Sequence, residues 1–165
     1  VLVEPAVLEL AEVETQVAYL APGQLLATAE PVTVRTVLGS CVAVCLYDPL
    51  LRVGGMNHFL LPESRGGGEA SFRYGDAAME GLWRELARLG AGALGLRARV
   101  FGGARVLSGI SDLMHLGERN VECALAWLGE RRVPVVERHV LGSRARRIEF
   151  CVQDGAARIR LLGAA

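Results

Sequence analysis

Val32-Thr33-Val34-Arg35-Thr36-Val37-Leu38-Gly39-Ser40-Cys41-Val42-Ala43-Val44-Cys45-Leu46-Tyr47-Asp48-Pro49 is the stretch that decides the fold. Its first half alternates, with Val32, Val34, Thr36 and Leu38 on one side, the period of a strand with one buried face. Gly39-Ser40 interrupts that pattern. Val42 to Tyr47 is then continuously apolar, which suits a strand covered on both faces. Asp48-Pro49 opens a turn.

The same signals extend outward in both directions. Thr15 to Leu20 reads as a short strand ending at the turn Ala21-Pro22-Gly23, and Val53 to Leu61 as a strand closed by Pro62. Met79, Leu82, Trp83, Leu86 and Leu89 recur at helical spacing, predicting a helix capped by Asp76 and stopped at Gly90. Arg97 to Phe101 reads as a strand leading into Gly102-Gly103-Ala104. A second helix is expected over Glu118 to Leu128, burying Val121, Leu125 and Leu128. Val133 to Val140, Arg147 to Val152 and Ala157 to Leu162 read as three final strands, with turns at Leu141-Gly142-Ser143 and Asp154-Gly155. Many strands, two helices and no βαβ alternation argue for an α+β fold. The expected architecture is a β-sandwich-like core of mixed sheets with flanking helices, in a single domain over 1–165, with 1–14 as an N-terminal extension.

Composition narrows the chemistry. Of 165 residues, 52% are hydrophobic and 22% charged, the profile of a globular chain. Eighteen basic residues balance eighteen acidic ones, so no net field favours nucleic acid or an anionic membrane. Every basic residue is arginine. Without lysine, Schiff-base chemistry on the chain and a Walker-A loop are excluded. No apolar run approaches the ~20 residues of a membrane span, and Val1 to Pro5 shows no basic leader. A cytoplasmic protein with free thiols at Cys41, Cys45, Cys123 and Cys151 is the expectation.

Cys41 follows the Gly-Ser break, and His58 comes after one strand, one turn and a second strand. That arrangement can set a thiol beside an imidazole, the minimum for thiolate catalysis. Cys45, four residues on, shares a face with Cys41 but lies deeper, so it reads as core, as do Cys123 and Cys151. Cys41-x3-Cys45-x12-His58 also supplies three ligands of a zinc-finger spacing. Phe59 to Arg65 offers no fourth, and a closed structural site needs four. Asn57 points to the opposite strand face from His58 and is poorly placed to orient its ring. Gly54-Gly55 lets another chain approach closely.

Leu38 to Asp48, followed by Met56-Asn57-His58-Phe59-Leu60-Leu61-Pro62, resembles the CheD family of chemoreceptor glutamine deamidases. Arg73-Tyr74-Gly75-Asp76, Phe101-Gly102-Gly103-Ala104 and Glu118-Arg119-Asn120 resemble its later signatures in the same order. The resemblance spans roughly residues 15 to 162. It implies a cofactor-independent amidohydrolase that converts receptor glutamines to glutamates with a Cys-His-Thr triad. Cys41 and His58 match directly. The family's threonine stands five or six residues before the cysteine; five is Thr36, which is carried over, and six is Arg35. The implied partners are the cytoplasmic helices of chemoreceptors and, in some relatives, a CheC-type phosphatase, which leaves a regulatory binding module as the competing class. A thiol hydrolase acting on another amide or ester is a third reading. The Gly66-Gly67-Gly68 loop reads as a plain surface loop, with a rim of the site as the alternative.

Overall fold

The two halves of the opening stretch go to different sheets. The structure, a computed structural model, describes residues 15–64, 71–106 and 115–163. The expected extension over 1–14 and the Gly66-Gly67-Gly68 loop lie outside the described residues. In chain order the strands are β1 (Gln16–Tyr19), β2 (Leu25–Thr28), β3 (Val32–Leu38), β4 (Val42–Asp48), β5 (Val53–Asn57), β6 (Arg97–Gly102), β7 (Val135–Val140), β8 (Arg146–Cys151) and β9 (Ala157–Leu161). The helices are α1 (Gly75–Arg88) and α2 (Leu116–Glu130).

One sheet runs β1-β3-β8-β9 and the other β2-β5-β4-β6-β7. The β1–β3 and β6–β7 pairs are parallel and the other pairs antiparallel. The α+β reading with mixed sheets and flanking helices therefore holds. The alternation of β3 turns Val32, Val34, Thr36 and Leu38 inward, while Thr33, Arg35 and Val37 are less buried. All seven residues of β4 are buried because its two faces meet different cover. Val42, Val44 and Leu46 pack against the helices with Met79, Leu82 and Leu86. Ala43, Cys45 and Tyr47 pack against the first sheet with Val34, Leu38, Ile148 and Phe150. The helices pack on one another through an edge-on Trp83–Trp127 contact at 5.5 Å, with the Arg131 guanidinium 3.8 Å from the Trp127 ring centre.

Several boundaries differ from expectation. Strand β2 was not foreseen, because Leu25-Leu26-Ala27-Thr28 has no alternation and few β-formers. It closes on β5 because that strand carries a glycine at position 55. A Cβ on Gly55 would stand 2.2 Å from the Leu26 carbonyl oxygen and 2.8 Å from a Leu82 methyl, so only glycine lets β2 and α1 close on β5 there. The strand expected over Val53 to Leu61 ends at Asn57, followed by single bridges from Phe59 to Val42 and from Leu61 to Tyr74. Asp76 does not cap α1. Tyr74 occupies the N-cap position without a side-chain bond, and Asp76 sits in the first turn, accepting from the Ala77 N–H. Leu89 falls outside α1 and is 39% exposed. Gly90, at φ +92°, follows as expected. Helix α2 runs from Leu116 to Glu130, beyond the expected Glu118 to Leu128 at both ends.

Candidate functional site at the joint between the sheets

Residues 58–60 continue the path of β5 alongside β4. Val42 and Phe59 exchange both backbone hydrogen bonds, at 3.1 and 3.0 Å. That register sets Cys41 opposite Leu60 and Ala43 opposite His58. Cys41 and His58 are thus diagonal neighbours with side chains on one face, a separation that suits side-chain contact. This face looks toward the first sheet. Cys41 packs against the inter-sheet core and is partly exposed, whereas His58 is 1% exposed. The backbone of His58 is held on its other side by Gln24, whose carbonyl accepts the His58 N–H at 3.0 Å, and by Gly23, whose N–H reaches the His58 carbonyl at 2.7 Å.

Thr36 reaches His58 from the opposite sheet. Its hydroxyl oxygen lies 2.9 Å from His58 Nδ1 and 2.7 Å from the Leu20 carbonyl oxygen. A carbonyl only accepts, so the hydroxyl hydrogen goes to Leu20 and the hydroxyl oxygen accepts from the ring. Nδ1 therefore carries the hydrogen and Nε2 is left as the basic nitrogen. Nε2 is buried with no hydrogen-bond partner among the described residues. Arg35, one residue earlier, points away from this joint, pairing with Glu149 at 3.1 Å and with the Tyr19 hydroxyl.

Electrostatics oppose charge separation at rest. Burial pushes the Cys41 thiol above its ordinary value, only partly offset by its own backbone N–H. Burial likewise pulls the His58 ring below its ordinary value, partly offset by the Leu20 carbonyl. A neutral thiol and a neutral imidazole are the resting state that these shifts favour. Elsewhere, Cys45 is fully buried core, as expected. Cys123 donates to the Pro62 carbonyl, and burial with Asp76 and Glu63 nearby pushes its thiol up to about 11. Asn57 does point away from His58: its Oδ1 accepts the Val44 N–H and its Nδ2 lies against Met79 Sδ.

A family model described as CheD chemotactic sensory transduction matches residues 60–161. A probable chemoreceptor glutamine deamidase CheD 1 of Anaeromyxobacter dehalogenans is 50% identical over 146 residues, covering 87% of this chain and 84% of that one. This chain belongs to the CheD family. The CheD 1 relative from Shewanella oneidensis is 42% identical, over 89% of this chain and 73% of its own. The CheD relative from Stenotrophomonas maltophilia strain K279a is 40% identical, over 92% and 76% respectively. The Bacillus licheniformis protein YfiH shares 18% identity at a TM-score of 0.46, over 72% of this chain and 51% of that one.

Two supports of this CheD site had no assigned role in the sequence reading. The strip Gly102-Gly103-Ala104 holds the Cys41 turn from beneath: Gly103 N–H donates to the Cys41 carbonyl and Ala104 N–H to the Gly39 carbonyl, both at 2.8 Å. Gly102 and Gly103 have φ of +110° and +70°, and a Cβ on Gly102 would stand 2.1 Å from the Cys41 carbonyl oxygen. The glycine pair was visible in the sequence, but not what it faces. The second support is Asn120, whose side-chain amide donates to the Ser40 carbonyl at 3.0 Å and the Leu60 carbonyl at 2.8 Å.

Proposed function

We propose that this CheD protein hydrolyses the side-chain amides of chemoreceptor glutamines to glutamates, with Cys41 as nucleophile, His58 as acid–base and Thr36 as the group that orients the ring. The observation that carries the triad is the Thr36–His58 hydrogen bond, which presents an unpartnered Nε2 on the face that Cys41 shares. The substrate class rests on the family and on the names its relatives carry.

The steps follow from the resting state. His58 Nε2 takes the Cys41 proton as the sulfur attacks the carboxamide carbon. The charge that forms on the oxygen meets the Cys41 backbone N–H, which lies against the attacking sulfur. His58 then gives its proton to the departing nitrogen, releasing ammonia and leaving a thioester. Water, deprotonated by His58, attacks the thioester; glutamate leaves and the Cys41 thiol recovers its proton. Throughout, Thr36 accepts from Nδ1–H and steadies the imidazolium, as the third group does in other triads.

Mass spectrometry of a receptor cytoplasmic fragment incubated with the protein tests this directly. Glutamine residues gain the mass of an amide-to-acid change with the wild type and gain none with Cys41→Ala or Cys41→Ser. Undiminished conversion by folded Cys41→Ala would sink the mechanism. Binding of a CheC-type phosphatase is a separate regulatory reading. A Cys41→Ala protein that still signals normally in a chemotaxis assay would favour it over the enzyme.

A further inference from the structure

We infer that Asn120 is a positioning residue for the reaction, holding the thiol and the imidazole at a fixed spacing by replacing a missing rung of the β ladder. The inference rests on the deamidase reading above for its activity readout. In a regular antiparallel pair, the rung after Val42–Phe59 would join Ser40 to Leu61. Here that rung is absent. The Leu61 N–H goes to the Arg73 carbonyl at 3.1 Å, and the Leu61 carbonyl accepts from Gly75 at 2.7 Å. The two chains part just where Cys41 and Leu60 face each other. Without that rung, the backbone ladder no longer holds the segment before the thiol against the segment after the base.

Asn120 closes this gap from the helix side. Both hydrogens of its Nδ2 are used, one on Ser40, the residue before the thiol, and one on Leu60, two residues beyond the base. A planar amide group fixes the angle between its two hydrogens, so it fixes the distance between the two carbonyls. The side chain is fully buried, and its Oδ1 has no partner among the described residues. Packing alone does not explain an amide kept in a buried place with one end unsatisfied.

The helix reaches this depth through glycine. A Cβ on Gly117, one turn before Asn120, would stand 2.3 Å from the Gly103 carbonyl oxygen, and one on Gly103 would stand 2.6 Å from a Val121 methyl. Helix α2 therefore rests directly on the strip that supports the Cys41 carbonyl. The amide and the strip bond successive carbonyls of the turn, the strip those of Gly39 and Cys41 and the amide that of Ser40.

The test uses Asn120→Ala and Asn120→Asp in the full chain. Aspartate keeps the shape but turns a donor into a carboxylate oxygen facing two carbonyls. Each variant is assayed for ammonia release from a receptor fragment and for iodoacetamide alkylation of Cys41 against pH. With folded protein confirmed by circular dichroism, the expected result is a kcat lower by about 100-fold, the scale of a small misplacement of reacting groups. KM should stay within a factor of about two, and the midpoint of Cys41 alkylation should move. Unchanged kcat and an unchanged alkylation profile in either folded variant would overturn the assignment. If Asn120→Ala does not fold, Asn120→Asp carries the test through its alkylation profile. Failure of the wild type to release ammonia would strike the deamidase reading alone, because alkylation needs no glutamine substrate.

Discussion

At the scale of the residue, the site turns on one hydroxyl. Thr36 gives its hydrogen to Leu20 and takes one from His58, so its two bonds together fix which ring nitrogen is basic. Thr36→Val keeps the shape and removes both bonds. It should lower kcat by about 100-fold, from loss of the ring's orientation. It should also destabilise the fold by about 1–3 kcal/mol, from leaving the buried Leu20 carbonyl and Nδ1–H unpaired. Steady-state kinetics and thermal melting read the two effects separately. His58 also sets the pH behaviour. Its pKa is depressed by burial, so the neutral ring persists to lower pH than in a free peptide. The acid limb of kcat/KM should therefore have its midpoint below 6.5, the ordinary imidazole value; a midpoint above it would contradict a buried neutral base. Stability carries the same sign. As pH falls through 6.5 the unfolded chain binds the proton more readily than the folded one, so this contribution to stability is present above 6.5 and is lost below it. The sequence made Cys41 and His58 legible because motif and spacing are local. Thr36 was named only through the family resemblance; its inward face, with Val34 and Leu38 and with Arg35 less buried, agrees with strand parity.

At the scale of the element, alternation and apolar runs marked β3 and β4 with nearly their observed bounds, since those signals follow from burial on one or two faces. Strand β2 was not legible, because what makes it a strand lies in β5. Gly55 removes the side chain that would hold β2 and α1 away. Gly55→Ala tests this. A methyl 2.2 Å from the Leu26 carbonyl oxygen cannot be accommodated without shifting β2 or α1, and overpacking of this kind costs about 1–3 kcal/mol. A lower midpoint of urea unfolding is the expected outcome, and an unchanged midpoint would mean that β2 tolerates displacement. Because Gly23 and Gln24, just ahead of β2, bind the His58 backbone, activity should fall in the same variant. The supports from Gly102-Gly103 and Asn120 were illegible for a related reason. Their partners are backbone carbonyls of distant residues, and a carbonyl has no signature in the sequence.

At the scale of the whole molecule, the candidate triad belongs to neither sheet alone. Cys41 and His58 come with the helix-covered sheet, while Thr36 and the Leu20 carbonyl come with the other. The two tryptophans lie between the helices, on the far side of β4 from this joint. In a urea titration, ammonia release should therefore disappear at or before the change in tryptophan emission. Activity that outlasts the tryptophan transition would show that the first sheet is dispensable.

The bond from Thr36 to His58 has a consequence for the newly made chain. Until the sheets dock, a thiol and an imidazole can meet, but nothing selects the ring's tautomer. On the proposed mechanism, the thiol of an immature chain is a poor hydrolase of the amides around it, and competence arrives only with the finished molecule.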